Sequence, residues 1–224
     1  PAFEDHAAEA MARWAEFDRP LHFAPDGAFE LNVATNWKLA VENYCESYHL
    51  PWVHPGLNSY SRLEDHYTIV EAGCFSGQGT RVYNPLLGDG GRRFPPFVAL
   101  PAAGDQAAEY VALYPNVLLG VHKDHLYSIR LEPLAADRTL EHVEIYFASE
   151  DALDARHASM REQLKVMWCQ IFEEDVFVVE GMQKGRASPA FDGGVFSPAM
   201  EAATHDFHGW VAGRLAGPDL ALVG

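Results

Sequence analysis

Leu164, Trp168, Ile171, Val178, Val179 and Met182 recur at three- and four-residue steps, and the centre of that stripe is occupied by an aspartate, Asp175. The spacing predicts a long helix, from Asp151 to Lys184 with a break near Ala158, whose apolar face must be covered by another layer. Glu173 and Glu174 flank Asp175, and the helical wheel turns both toward solvent. A lone carboxylate on a buried face is costly unless a cation or hydrogen-bond donors compensate it. Asp175 therefore belongs either to a structural network, with Arg161 or Lys165 as partner, or to a metal site.

The segment Asn36–Pro55 offers the other donors such a site needs. It holds His49, His54, Glu42, Glu46 and Asn43 among four aromatic residues. A helix is permitted as far as Tyr48, with Trp37, Val41, Tyr44 and Tyr48 on one apolar stripe. Glu42, Glu46 and His49 share the adjacent stripe, and Asn43 lies beside Glu46. Pro51 ends the helix between the histidines, so His54 can fold back toward His49. Two imidazoles and one carboxylate from separate elements form a facial triad that leaves coordination positions open, as in non-heme Fe(II) oxygenases. Zinc with a water as fourth ligand fits the same residues. In a chain with 11 histidines, a pair five residues apart carries little weight alone.

The remainder of the chain predicts an α+β fold. A helix is expected over residues 4–17, then a hairpin of Leu21–Ala24 and Ala28–Val33 around Pro25-Asp26-Gly27. Strands are expected at His66–Cys74, Gly77–Tyr83, Ala107–Tyr114, Val117–His122, His125–Pro133 and Thr139–Ala148. The Gly- and Pro-rich stretch Asn84–Asp105 reads as a lid or rim loop. A last helix runs from Ser197-Pro198 to about Leu215. The 224 residues read as one domain, residues 1–224, in which an antiparallel sheet packs on long helices.

A hydrophobic fraction of 48% supports a sizeable core, and a net charge of −16 without a Lys/Arg cluster disfavours nucleic acid and anionic membranes as partners. No apolar run approaches the roughly 18 residues of a membrane span. Cys45, Cys74 and Cys169 form no pairing motif, which points to a reducing, cytoplasmic setting. The start at Pro1, without Met or signal peptide, reads as a cut chain or an excised domain.

Taken together, Asn36-Trp37-Lys38, Glu42-Asn43, Glu46-x-Tyr48-His49-x4-His54 and Glu174-Asp175-x4-Glu180-Gly181-x-Gln183-x-Gly185 resemble the catalytic-domain signature of Rieske non-heme iron oxygenases, the ring-hydroxylating oxygenase α subunits. Tyr114-Pro115-Asn116 and the region from Phe196-Ser197-Pro198 to His208-x-Trp210 are similar more loosely. The resemblance implies a helix-grip fold (START/Bet v 1-like), a curved antiparallel sheet around a long helix. It implies that His49, His54 and Asp175 bind mononuclear Fe(II), with Asn43 close by. Glu46 takes the place of the carboxylate that links the iron to a Rieske [2Fe-2S] cluster in a neighbouring subunit. Glu at that place is associated with members acting on quaternary-ammonium substrates, where many aromatic-ring dioxygenases carry Asp.

One departure is clear. A Rieske cluster needs Cys-x-His and Cys-x-x-His pairs, and none of the three cysteines has either. The expectation is a catalytic domain whose Rieske domain was removed upstream, the alternative being a Rieske domain supplied by another polypeptide. The implied activity is hydroxylation of a small aromatic or quaternary-ammonium substrate with O2, as a mono- or dioxygenase. Electrons would come from a reductase or ferredoxin through the missing cluster, in a homotrimer. Tyr44, Leu50, Met167, Trp168 and Ile171 are expected near the pocket, with Trp52 as a packing anchor. The pairs His122/His125 and His205/His208 read as core-satisfied or surface residues, and Arg92 and Arg93 as solvated loop residues. Two rival readings are a non-enzymatic hydrophobic-ligand module and a zinc hydrolase using Glu46 as general base.

Overall fold

The computed structural model describes residues 2–17, 20–71, 73–85, 93–97 and 107–216. Strand β8 (Arg138–Phe147) is the hub of an antiparallel sheet. One edge pairs with β7 (His125–Ala135), and the sheet continues through β6 (Val117–His122), β5 (Ala108–Leu113), β4 (Phe75–Thr80) and β3 (His66–Val70). The other edge of β8 carries both β1 (His22–Phe23) and β2 (Phe29–Val33). The hairpin expected for these two segments does not form. Pro25–Gly27 makes a 3-10 turn, so both segments lie in succession along one partner, with His22 opposite Phe147 and Phe29 opposite Val143. Ten residues of β8 provide edge enough for both.

Alternation along the central strands gives the sheet two dry faces. On β5, Tyr110 and Ala112 join the large cluster that includes Leu164, Trp168, Ile171 and Phe172 of helix α5 (Ala158–Arg186). Val111 and Leu113, one residue out of phase, pack instead with Ala7 and Ala10 of α1 (Phe3–Arg13). Two short 3-10 turns precede α5, so the expected break near Ala158 falls where the α-helix starts. At Gly120 of β6 a Cβ would lie 2.2 Å from Cζ of Tyr127, and that missing atom lets the Tyr127 ring reach across to Trp168, 4.6 Å between centroids.

Helix α2 (Trp37–Tyr44) starts under an Asn36 cap, whose side chain accepts from the Lys38 amide at 3.1 Å. It ends at Tyr44, four residues earlier than periodicity allows. The reason is local: Glu46 Oε2 accepts the amides of Tyr48 at 2.6 Å and His49 at 3.4 Å, which turns the chain out of the helix. Tyr48 consequently leaves the apolar stripe and is exposed. Short turns α3 (Leu50–Val53) and α4 (Pro55–Asn58) follow. The last helix, α6 (Ala202–Ala216), begins five residues after Ser197 and packs Phe207 against Tyr114 and Trp37. Of the stretch read as a lid, residues 86–92 and 98–105 lie outside the described residues. Phe94 and Phe97 within it are buried against Phe147 and Phe17.

Candidate metal centre

The centre forms where the turn after α2 meets the middle of α5. Three hydrogen bonds set their relative register. Glu180 accepts the Ala34 amide at 3.1 Å, Gln183 accepts the Asn36 amide at 2.9 Å, and Thr35 donates to the Val179 carbonyl at 3.0 Å. The start of α2 is thereby clamped one turn beyond Asp175. Asn43, on the inner face of α2, then donates from Nδ2 to Asp175 Oδ1 at 2.8 Å.

His49 and His54 are brought onto the same oxygen. His54 Nε2 lies 3.0 Å and His49 Nε2 3.7 Å from Asp175 Oδ1. One donor atom from each of the three residues falls within 4.8 Å of the others, so the group can hold a metal ion. Two ligand atoms about 2.1 Å from a metal and at right angles are about 3 Å apart, which is the His54–Asp175 separation. The donor chemistry fits Fe(II): two neutral nitrogens, one carboxylate, and a side left open.

Each imidazole is oriented from behind. His49 Nδ1 lies 2.5 Å from Glu46 Oε1 and His54 Nδ1 lies 2.8 Å from Glu174 Oε2. A carboxylate at Nδ1 requires the proton there and leaves Nε2 with a free lone pair. Burial alone would depress the His54 pKa, but Asp175 and Glu174 outweigh it and the net shift is upward. Glu174 does not point to solvent as the helical wheel suggested. It is half-buried, with Oε2 facing His54 and Oε1 accepting from Gln170 at 3.2 Å. Its signal in the sequence was adjacency to Asp175, since a ligating imidazole calls for a carboxylate at its second nitrogen. Arg161 pairs with Asp26 at 3.1 Å and not with Asp175. Glu42, on the far side of α2, binds Arg186 at 2.5 Å and lies 2.8 Å from His208 Nε2, away from the triad.

The open side faces a cavity of about 50 Å³ whose walls include Tyr44, Leu50, Trp168 and Ile171, with Tyr110, Tyr127 and Phe172. Met167 instead lines an outer cleft of about 910 Å³, where its sulfur accepts from Tyr60 at 3.5 Å. Another carboxylate near Asp175, the buried Glu141 of β8, was not singled out by the sequence. It shares a cavity of about 30 Å³ with Asn43 and Asp175, and burial first, then the Asp175 charge, push it up to about 7.

The profile of ring hydroxylating alpha subunits (catalytic domain) matches residues 21–217. The chain belongs to that family. Among curated relatives it is 29% identical over 189 residues to putrescine 2-hydroxylase of Ralstonia nicotianae (strain ATCC BAA-1114 / GMI1000), covering 78% of this chain and 50% of that protein. It is 25% identical over 216 residues to choline monooxygenase of Atriplex hortensis, covering 92% and 44%. The chain thus spans about half the length of these relatives. Its fold matches the quaternary ammonium Rieske monooxygenase CntA with a TM-score of 0.69 at 21% identity, over 95% of this chain and 55% of that one. Naphthalene 1,2-dioxygenase from Rhodococcus sp. matches at 0.64 and 14% identity, over 94% and 61%. The mixed fold of helices and antiparallel sheet is that of Rieske oxygenase catalytic domains.

In this family member the remaining sequence expectations divide. Trp52 is 77% exposed and anchors no core. His205 is exposed, and His208 belongs to the Glu42 cluster. His125 is core-satisfied, held by Asp124 at 2.6 Å and by the Trp168 indole at 3.1 Å. His122 is equally buried, but neither ring nitrogen has a hydrogen-bond partner among the described residues. Arg93 donates to the Pro85 carbonyl at 3.4 Å, and Arg92 lies outside the described residues. No described helix is long and apolar enough to cross a membrane.

Proposed function

We propose that the chain is the catalytic part, residues 1–224, of a terminal oxygenase, a Rieske-type mono- or dioxygenase in which His49, His54 and Asp175 hold mononuclear iron. The observation that carries this reading is the matched pair of carboxylate–imidazole contacts, Glu46–His49 and Glu174–His54, which turn both Nε2 atoms onto Asp175. A structural hydrogen-bond network has no need to orient two imidazoles in this way. A zinc hydrolase with Glu46 as base is disfavoured because Glu46 is committed to His49 Nδ1 and to the Tyr48 amide.

Iron(II) held by this set supplies the activation of O2 for hydroxylation of an organic substrate. The protein's own part is orientation and exclusion. Glu46 and Glu174 fix the tautomers, and Asn43 orients the Asp175 carboxylate while satisfying one of its lone pairs. Trp168, Tyr110, Tyr127 and Phe172 keep water from the reacting side. Glu46 also lies on the route by which electrons from a Rieske [2Fe-2S] cluster, fed by a reductase or ferredoxin, would enter. That cluster belongs to a domain outside this chain, and the working unit is read as a homotrimer. We read the sheet packed on α5 as a helix-grip. Three cysteines without disulfides fit the cytoplasm.

The relatives' names, putrescine, choline and quaternary ammonium, support a small organic ammonium as substrate. Aromatic rings line the cavity, with Asp175 its one carboxylate and neither Lys nor Arg, and ring faces of this kind suit a cation. The test is nitric oxide added to the Fe(II)-loaded chain without oxygen. The high-spin iron–nitrosyl EPR signal is expected, since a coordination position is open. A chain that binds iron yet gives no such signal would contradict an open oxygenase centre.

A further inference from the structure

Behind the aromatic wall of the metal-centre cavity lies a polar cluster. Beyond Trp168 lie His122 of β6 and Tyr83, and beside them Tyr110 of β5. Their rings are in contact: Tyr83 is 4.7 Å and Tyr110 5.6 Å from His122 between centroids, and Trp168 is 5.1 Å away. Tyr83, Tyr110 and His122 are 7%, 6% and 1% exposed. Both hydroxyls and both His122 ring nitrogens are buried without a hydrogen-bond partner among the described residues. The Gly120 backbone lies close enough to His122 to act as a weak acceptor that opposes the burial effect, though it falls outside full hydrogen-bond geometry. A buried polar atom without a hydrogen-bond partner is destabilising, and among the described residues four of the six such side-chain atoms gather here, the others being Trp210 Nε1 and, beside Glu42, His208 Nε2. The neighbours show the contrast. The Tyr44 and Tyr127 hydroxyls bond each other at 3.1 Å, Tyr60 donates to Met167, and His125 has two partners.

We propose that Tyr83, Tyr110 and His122 form a hydrogen-bonding subsite for an uncharged oxygen group, a hydroxyl or a carbonyl, of a molecule whose reacting end sits at the metal centre. Two phenols and a neutral imidazole offer both donors and acceptors. Burial holds both phenols protonated and keeps His122 well below its usual range, with His125 adding to that depression. Arg93 and Lys123 line the outer side of the same recess, where Arg93 donates to the Pro85 carbonyl, and the cluster itself supplies only neutral donors and acceptors. A substrate ammonium would meet no free anion, because Asp124 is committed to His125. Tyr110 stands between the two spaces: it lines the metal-centre cavity, and its ring packs against His122 on the other side. A cavity of about 10 Å³ between Tyr83 and His122 has room for one oxygen atom. The inference rests on the oxygenase reading for what occupies the cavity, but its test does not depend on turnover.

The test is a set of crystal structures of the iron-loaded chain soaked separately in 2-propanol, acetamide, sodium acetate and tetramethylammonium chloride, with melting temperatures of Tyr83→Phe and Tyr110→Phe. The expected result is an alcohol or amide oxygen at hydrogen-bond distance from at least two of the three side chains. The two variants should lose that oxygen while melting no lower than the parent chain. Acetate or tetramethylammonium in the recess, or no probe there, would overturn the proposal. So would a drop in melting temperature on removing either hydroxyl, because that drop reports a structural partner. Iron content in the same crystals separates the two readings: iron present with an empty recess sinks the subsite alone, and iron absent sinks the metal centre.

Discussion

The two imidazoles of the centre are served by carboxylates of different origin, Glu46 three residues before His49 and Glu174 on a helix 120 positions from His54. Each keeps its imidazole in the tautomer a metal needs and raises its basicity. Glu46→Gln and Glu174→Gln should each weaken iron binding about 10–100-fold, measured by competition with a chelator, while leaving the fold intact. Unchanged affinity in both would remove the orienting role. Glu141 gives a pH-dependent prediction. Its carboxyl is raised to about 7 in the fold, so the protonated form is favoured there. That contribution is fully present below the unfolded value and lost as pH rises through 7, a swing on the order of 3 kcal/mol. In the metal-free chain Glu141→Gln should therefore be more resistant to urea than the parent at pH 8 and no more resistant at pH 4. His49, His54 and Asp175 were legible as candidates through the combined motif on which the family resemblance rests, and the fold brings them together. The spacing of the histidines alone carried little weight. Glu174 and Glu141 were not legible in this way, since their roles depend on which element covers them.

At the scale of elements, strand periodicity carried most of the information. Val117–His122 forms as predicted, and His125–Ala135 and Arg138–Phe147 differ from prediction by a residue or two at their ends. These strands alternate clearly and have partners on both sides. The errors arose where a side chain or a turn competed with period. Glu46 stopped α2 early, and the 3-10 turn at Pro25 laid β1 and β2 on β8 in place of a hairpin. Gly77 gives a sharp test of the sheet. A Cβ there would lie 2.1 Å from the Tyr110 backbone oxygen, so β4 and β5 would have to separate. Gly77→Ala should cost about 1–3 kcal/mol or more in unfolding free energy, measured by urea denaturation, because the obstacle is backbone and cannot rotate away.

For the whole molecule, the sequence carries the candidate ligands His49, His54 and Asp175 without the cysteine pairs of a Rieske cluster, and the chain spans about half of its relatives. Iron binding and turnover should therefore separate. Loaded with iron and supplied with reductase and NADH, the chain alone should consume oxygen no faster than its Asp175→Ala variant in an oxygen-electrode assay. The central claim is that His49, His54 and Asp175 form one iron site. Its most direct measurement is iron per chain after anaerobic reconstitution and desalting, for the parent and for Asp175→Ala. The account predicts about one iron in the parent and near none in the variant, with equal melting temperatures for the metal-free proteins. Stoichiometric iron in the variant, or none in the parent, would contradict it.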